Sequence, residues 1–178
     1  MTWNISKEFD FCYGHRVWSQ ELNEEFSLDS CLACRHLHGH QGKVIIHLSS
    51  NKLKNGMVTD FNHLNWVKRF LDDTLDHKFI IDINDPLFET MLPHYKDKNN
   101  LISFPENYKI PDLTYLKNEP NHIYELYESF IIVDFVPTSE NISTWLLKIA
   151  QLKMKKLNVN VSHIEFLETP KSKSVVYS

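Results

Sequence analysis

His38-Gly-His40-Gln-Gly-Lys43-Val-Ile-Ile-His47-Leu48 is the stretch around which the rest of the chain can be arranged. Its β-branched second half, closed by the turn-forming Ser49-Ser-Asn51, predicts a strand that begins near His38. Side chains two apart on a strand leave the same face, so His38 and His40 stand together, and Gly39 between them permits a close approach. Immediately upstream, Cys31-Leu-Ala-Cys34-Arg-His36-Leu adds further transition-metal donors. Two metal readings are open. Cys31 and Cys34, in C-x-x-C spacing, could join two histidines in a closed structural zinc site. Alternatively, His38 and His40 bind an ion without either thiol. Strand geometry favours the second, and His15, at the end of the neighbouring strand, is then in reach as third ligand. Three imidazoles leave a fourth position for a substrate oxygen or water.

Working outward, Trp3, Ile5, Phe9, Phe11 and Tyr13 alternate, which predicts a half-buried strand ending at or just before His15 and pairing antiparallel with the second. A polar loop, Ser19 to Ser30, separates them. From Phe61 the period changes: Phe61, Leu64, Val67, Leu71 and Leu75 recur at three- and four-residue steps behind Asp60, an expected N-cap. A second helix opens at Pro137-Thr-Ser-Glu-Asn141, carries Ile142, Trp145, Leu146, Ile149 and Leu152, and closes on basic residues. Val159 to Glu168 and Ser174 to Tyr177 read as strands around a Thr169-Pro170 turn. Residues 78–136 are punctuated by prolines; only Ser129 to Val136 within them reads as a strand, and the rest is expected to cover a site or line a subunit edge.

The chain has 178 residues, 42% of them apolar, enough for one core, and a single domain over residues 1–178 is expected. With 19 basic against 23 acidic residues, it offers no electrostatic footprint for a nucleic acid, and a small-molecule partner fits better. No apolar stretch is long enough to cross a bilayer, and Met1 to Phe11 lacks the layout of a secretory signal, so a cytoplasmic location is expected. Three cysteines, Cys12, Cys31 and Cys34, suit thiol or metal chemistry better than a disulfide framework there.

Six segments, taken in order, resemble the family of 6-pyruvoyltetrahydropterin and 6-carboxytetrahydropterin synthases. They are Phe11-Cys-Tyr-Gly-His15-Arg, Cys34-x-x-x-His38-Gly-His40, Gly56-Met-Val-Thr-Asp60-Phe61, Leu75-Asp76-His77, Pro137-Thr-Ser-Glu-Asn141 and Leu167-Glu168-Thr169. The resemblance implies an α+β tunnelling fold: a four-stranded antiparallel sheet with two helices on one face, in the order β-β-α-α-β-β, with 78–136 inserted before the second helix. It implies Zn2+ on His15, His38 and His40, proton transfer by Cys34, Asp76 and His77, and a pterin anchored by Glu168. Thr138 and Glu140 suit the helix cap first and are kept as further substrate contacts. The spacing of Cys34 before His38 is similar to the carboxytetrahydropterin branch. The implied reaction converts 7,8-dihydroneopterin triphosphate to 6-carboxy-5,6,7,8-tetrahydropterin, a precursor of 7-deazaguanines such as queuosine. The implied assembly is a homo-oligomer, a hexamer of two stacked trimers. Two alternatives stand beside it: the pyruvoyl reaction, which eliminates triphosphate and keeps the side chain, and a non-enzymatic zinc module built on Cys31 and Cys34.

Overall fold

The alternation at the N-terminus forms β1, Trp3–His15, with Phe9, Phe11, Tyr13 and His15 buried on one face. β2, His38–Ser50, buries Val44, Ile46 and Leu48 at even positions, the phase shared by His38 and His40. The structure, a computed structural model, describes residues 1–28 and 30–178, so one residue of the polar loop lies outside it. The chain separates into two compact units.

The first unit comprises Met1–Cys12, His40–Asp76 and Thr138–Ser178. Asp60 accepts from the Asn62 amide at 2.7 Å and opens a 3-10 turn, Phe61–Leu64, that runs into α1, Asn65–Thr74. Leu64, Leu71 and Leu75 are fully buried, each contributing roughly 1.5–3 kcal/mol by leaving water. The long C-terminal helix, Ser139–Lys155, buries Ile142, Trp145, Leu146 and Ile149, and its Trp145 ring meets Phe70 edge-on at 6.0 Å. Two antiparallel strands finish the chain, Asn160–Thr169 and Ser172–Tyr177. The first of these pairs antiparallel with β2, Val44 opposite Phe166 and Ile46 opposite Ile164. Alternation therefore leaves one face of these strands apolar and the other bearing Lys43, His47, His163, Glu165 and Lys173.

The second unit comprises Tyr13–Gly39 and His77–Pro137. In it lie β3, Lys78–Asp82; α2, Phe88–Met91; β4, Leu101–Phe104; β5, Tyr108–Pro111; α3, Asn121–Glu128; and β6, Phe130–Val133. The C-terminal elements above are accordingly α4, β7 and β8. This unit has its own core of Ile81, Phe88, Leu92, Tyr95, Leu116, Tyr127, Phe130 and Ile132. Tyr95 is buried with its hydroxyl donating to the Asp112 carbonyl at 3.1 Å, and burial pushes its pKa up to about 12.

The expected four-stranded antiparallel sheet is corrected by the structure. Among the described residues the sheet has eight strands in the order β4-β5-β6-β3-β1-β2-β7-β8. Residues 78–136 supply four of them, not one. β3 pairs parallel with β1 and β6 parallel with β3. The single strand expected there is shorter than read, and the reason the others escaped notice is physical. β6 is buried at every position and β3 at its last three, so neither alternates, as befits strands covered on both faces.

Candidate metal centre

His15 is the last residue of β1 and is completely buried. Its Nδ1–H donates to the Pro137 carbonyl at 2.7 Å. His38 opens β2, and its Nδ1–H donates to the His36 carbonyl at 2.8 Å. A carbonyl only accepts, so both rings carry a proton on Nδ1, which makes Nε2 the nitrogen that a metal would take. The two rings lie 4.5 Å apart, centroid to centroid. His40, two residues along β2, completes a group in which one ligand nitrogen from each histidine lies within 4.8 Å of the others. Imidazoles whose Nδ1 is held by a carbonyl, as in His15 and His38, suit zinc, and three imidazoles would leave a coordination position open. Among the described residues no metal-capable group contains Cys31 or Cys34.

Glycines set how closely these strands approach. A Cβ on Gly39 would stand 2.9 Å from the Tyr13 carbonyl oxygen, and one on Gly14 would stand 2.6 Å from the Phe79 ring. His15 is followed by Arg16, whose guanidinium pairs with Asp85 at 2.9 Å, both side chains buried. Trp18 Nε1–H donates to Asp82 at 3.0 Å. The turn after β3 thus fixes the chain leaving β1. The sequence showed Asn84-Asp-Pro86 only as a turn; an Asp beside a turn proline gives no hint of a partner 69 residues away.

Cys34 lies half-buried in the short 3-10 turn Ala33–Arg35. Its amide donates to the Gln20 side-chain oxygen at 2.9 Å, and its carbonyl accepts from the Val17 amide at 2.7 Å. The Arg35 side chain donates to the Gln20 carbonyl at 3.0 Å, so Gln20 clamps the thiol-bearing turn with both its side chain and its backbone. Sequence reading missed Gln20, because a glutamine in a polar loop carries no periodic signal. Cys31 is exposed.

Asp76 follows α1, and its Oδ1 accepts from the Cys12 amide at 2.7 Å. His77, the next residue, is exposed and has φ 59°, a left-handed conformation that a non-glycine residue holds only where its surroundings enforce it. On β7, Glu168 Oε1 stands 3.7 Å from His40 Nε2. Thr138 is the N-cap of α4, its hydroxyl accepting from the Asn141 amide at 3.2 Å, and Glu140 is an exposed acid in that helix's first turn, where the helix dipole favours it.

Comparison with known proteins places this chain in a family. The family model described as 6-pyruvoyl tetrahydropterin synthase matches residues 4–178. The chain is 39% identical over 103 residues to a 6-carboxy-5,6,7,8-tetrahydropterin synthase of Aquifex aeolicus, and 35% identical over 83 residues to one of Haemophilus influenzae. These matches cover 54% and 44% of this chain and span 61% and 52% of the relatives' own length. An uncharacterized protein of Wolinella succinogenes has a crystal structure with TM-score 0.98 and 62% identity, covering 100% of this chain and 99% of that one. At the level of fold alone, a catalytic-residue mutant of the 6-pyruvoyltetrahydropterin synthase of Plasmodium vivax superimposes with TM-score 0.60 at 19% identity, covering 100% of this chain and 98% of its own. The α+β sheet fold, the ordered motifs and the family match agree: this chain belongs to the 6-pyruvoyl tetrahydropterin synthase family.

Proposed function

We propose that the chain is a zinc-dependent 6-carboxytetrahydropterin synthase, a lyase that converts 7,8-dihydroneopterin triphosphate and water to 6-carboxy-5,6,7,8-tetrahydropterin, acetaldehyde and triphosphate in 7-deazaguanine biosynthesis. The observation that carries this is the convergence of His15, His38 and His40 with Nδ1 of two rings held by carbonyls. The names of the two partial relatives support the choice of product. Zinc bound to the three imidazoles would supply Lewis-acid stabilisation of negative charge developing on a substrate oxygen.

Cys34, as thiolate, removes a proton from the substrate side chain; the turn that Gln20 clamps fixes where the sulfur starts from. His77 is the second acid–base group. Asp76 is assigned with it: because its carboxylate already holds the Cys12 amide, it anchors the residue before His77 and maintains the strained backbone there. Glu168 accepts from the pterin ring amide and exocyclic amine with its two carboxylate oxygens. Thr138 keeps its hydroxyl proton to offer to substrate, and Glu140 stands beside it. The chain works as a homo-oligomer, a hexamer in this proposal. Supporting that, the sheet ends in two edge strands, β4 and β8, whose open ladders a partner would close.

The pyruvoyl reaction uses the same residues and differs only in its product. Incubation with 7,8-dihydroneopterin triphosphate, followed by mass identification of the pterin, decides between them. The proposal expects the carboxylated ring and free acetaldehyde; a pterin retaining its three-carbon side chain selects the pyruvoyl reaction, and an unconsumed substrate removes both. Sedimentation returning only the 21.1 kDa monomer would remove the assembly.

A further inference from the structure

On the opposite face of β2 and β7 from the buried core residues, and wholly within the first unit, a second set of donors converges. His47 and His163 are directly paired across the antiparallel ladder, and Glu165 lies two residues along β7 on the same face. The imidazole rings stack at 3.8 Å, 14° from parallel. One ligand atom from each of the three residues lies within 4.8 Å of the others. Adjacent ligands of a tetrahedral zinc ion with bonds near 2.0 Å are separated by about 3.3 Å, so the three donors already stand at nearly the required spacing, and binding an ion would unstack the two rings.

The surrounding contacts prepare these groups as ligands. Ser162 donates its hydroxyl proton to the His47 carbonyl at 3.2 Å. Its oxygen, 3.1 Å from His163 Nδ1, is then an acceptor there, which puts the His163 proton on Nδ1 and the lone pair on Nε2. Tyr177 stacks on the outer side of the His163 ring at 5.1 Å. Lys173 pairs with Glu165 Oε2, which turns Oε1 toward His47. That oxygen is 2.9 Å from His47 Nε2, a nitrogen shut off from solvent, so the two side chains are paired. Two imidazoles and a carboxylate thus stand at short range on one face of the sheet, each with an atom that a transition-metal ion takes. Lys173 is the ammonium facing this cluster, and Lys43 on the same face is engaged by Glu8 at 3.1 Å and Asp10 at 3.7 Å.

We propose that His47, His163 and Glu165 form a second binding site for a zinc-class divalent cation, distinct from the His15, His38 and His40 centre. The donor set selects zinc, cobalt or nickel over magnesium and calcium, which take oxygen ligands. Three protein donors leave a position for water or a small anion.

Cobalt(II) is the probe, titrated into the chelator-stripped full-length protein, with ligand-field absorption read against equivalents added. Wild type should bind two equivalents per chain. His163→Gln and the isosteric Glu165→Gln should each bind one, His38→Ala should bind one, and the His38→Ala/His163→Gln double variant none. Near-ultraviolet circular dichroism verifies that each variant is folded, and Glu165→Gln carries the test if His163→Gln is not. A wild type that binds one equivalent, lost in His38→Ala and kept in Glu165→Gln, overturns the second site and leaves the first standing. One equivalent lost in Glu165→Gln and kept in His38→Ala does the reverse. Two equivalents retained in both His163→Gln and Glu165→Gln also overturn the second site.

Discussion

Gly39 and Gly14 show how single residues set the approach of the strands that carry the histidines. Both exclude a Cβ, for different reasons. At Gly14 the obstacle is the Phe79 ring, which can rotate; at Gly39 it is the Tyr13 carbonyl, part of the sheet itself. Gly14→Ala should therefore cost about 1–3 kcal/mol, the usual range for overpacking, and lower Tm by roughly 2–4 °C per kcal/mol for a chain of this size. Gly39→Ala should cost more, and should also weaken zinc retention because it separates its two neighbouring histidines from β1. Thermal unfolding of the two variants tests this, and an equal or reversed ranking contradicts it. At this scale much of the site is legible in sequence. The period of two places His38 and His40 on one face, and the burial phase of β1 does the same for His15. Gln20, Asp82 and Asp85 are not legible, because what they do depends on partners that only the folded chain supplies.

The two long helices and the strands near the chain ends are readable because each buries one side. α1 and α4 repeat their apolar residues at helical spacing, and β1, β2 and β7 alternate. β3 and β6 carry no such record, and β4 and β5 are four residues each, too short to establish a period. The core these strands help to form makes its own prediction. Burial raises the pKa of Tyr95 to about 12 and also raises that of Tyr127. A phenol whose folded pKa exceeds its unfolded value near 10 contributes stability that is complete below the unfolded value. That stability is lost as pH rises through the folded one. Tm should thus fall between pH 10 and 12, and Tyr95→Phe, which cannot ionise, should flatten that fall. The variant should lose about 1 kcal/mol at neutral pH with the hydrogen bond to Asp112. An alkaline slope unchanged by Tyr95→Phe would contradict this account of the core.

At the scale of the whole molecule, the strand-strand-helix opening and helix-strand-strand ending are where the motifs predicted them. Residues 78–136 lie between them in the chain and hold a hydrophobic core of their own. The six motif segments all lie outside residues 78–136, which is why candidate site residues could be named while the strands of the sheet could not be counted. No helix among the described residues is long and apolar enough to cross a membrane. In the proposed mechanism three histidines hold the metal and Cys34 moves a proton without touching it. Zinc content per chain, measured on His38→Ala and Cys34→Ala beside wild type, tests that division most directly. The prediction is that His38→Ala loses zinc from the triad while Cys34→Ala keeps the wild-type content and loses turnover. Loss of zinc in Cys34→Ala as complete as in His38→Ala would make the thiol a ligand and contradict the account.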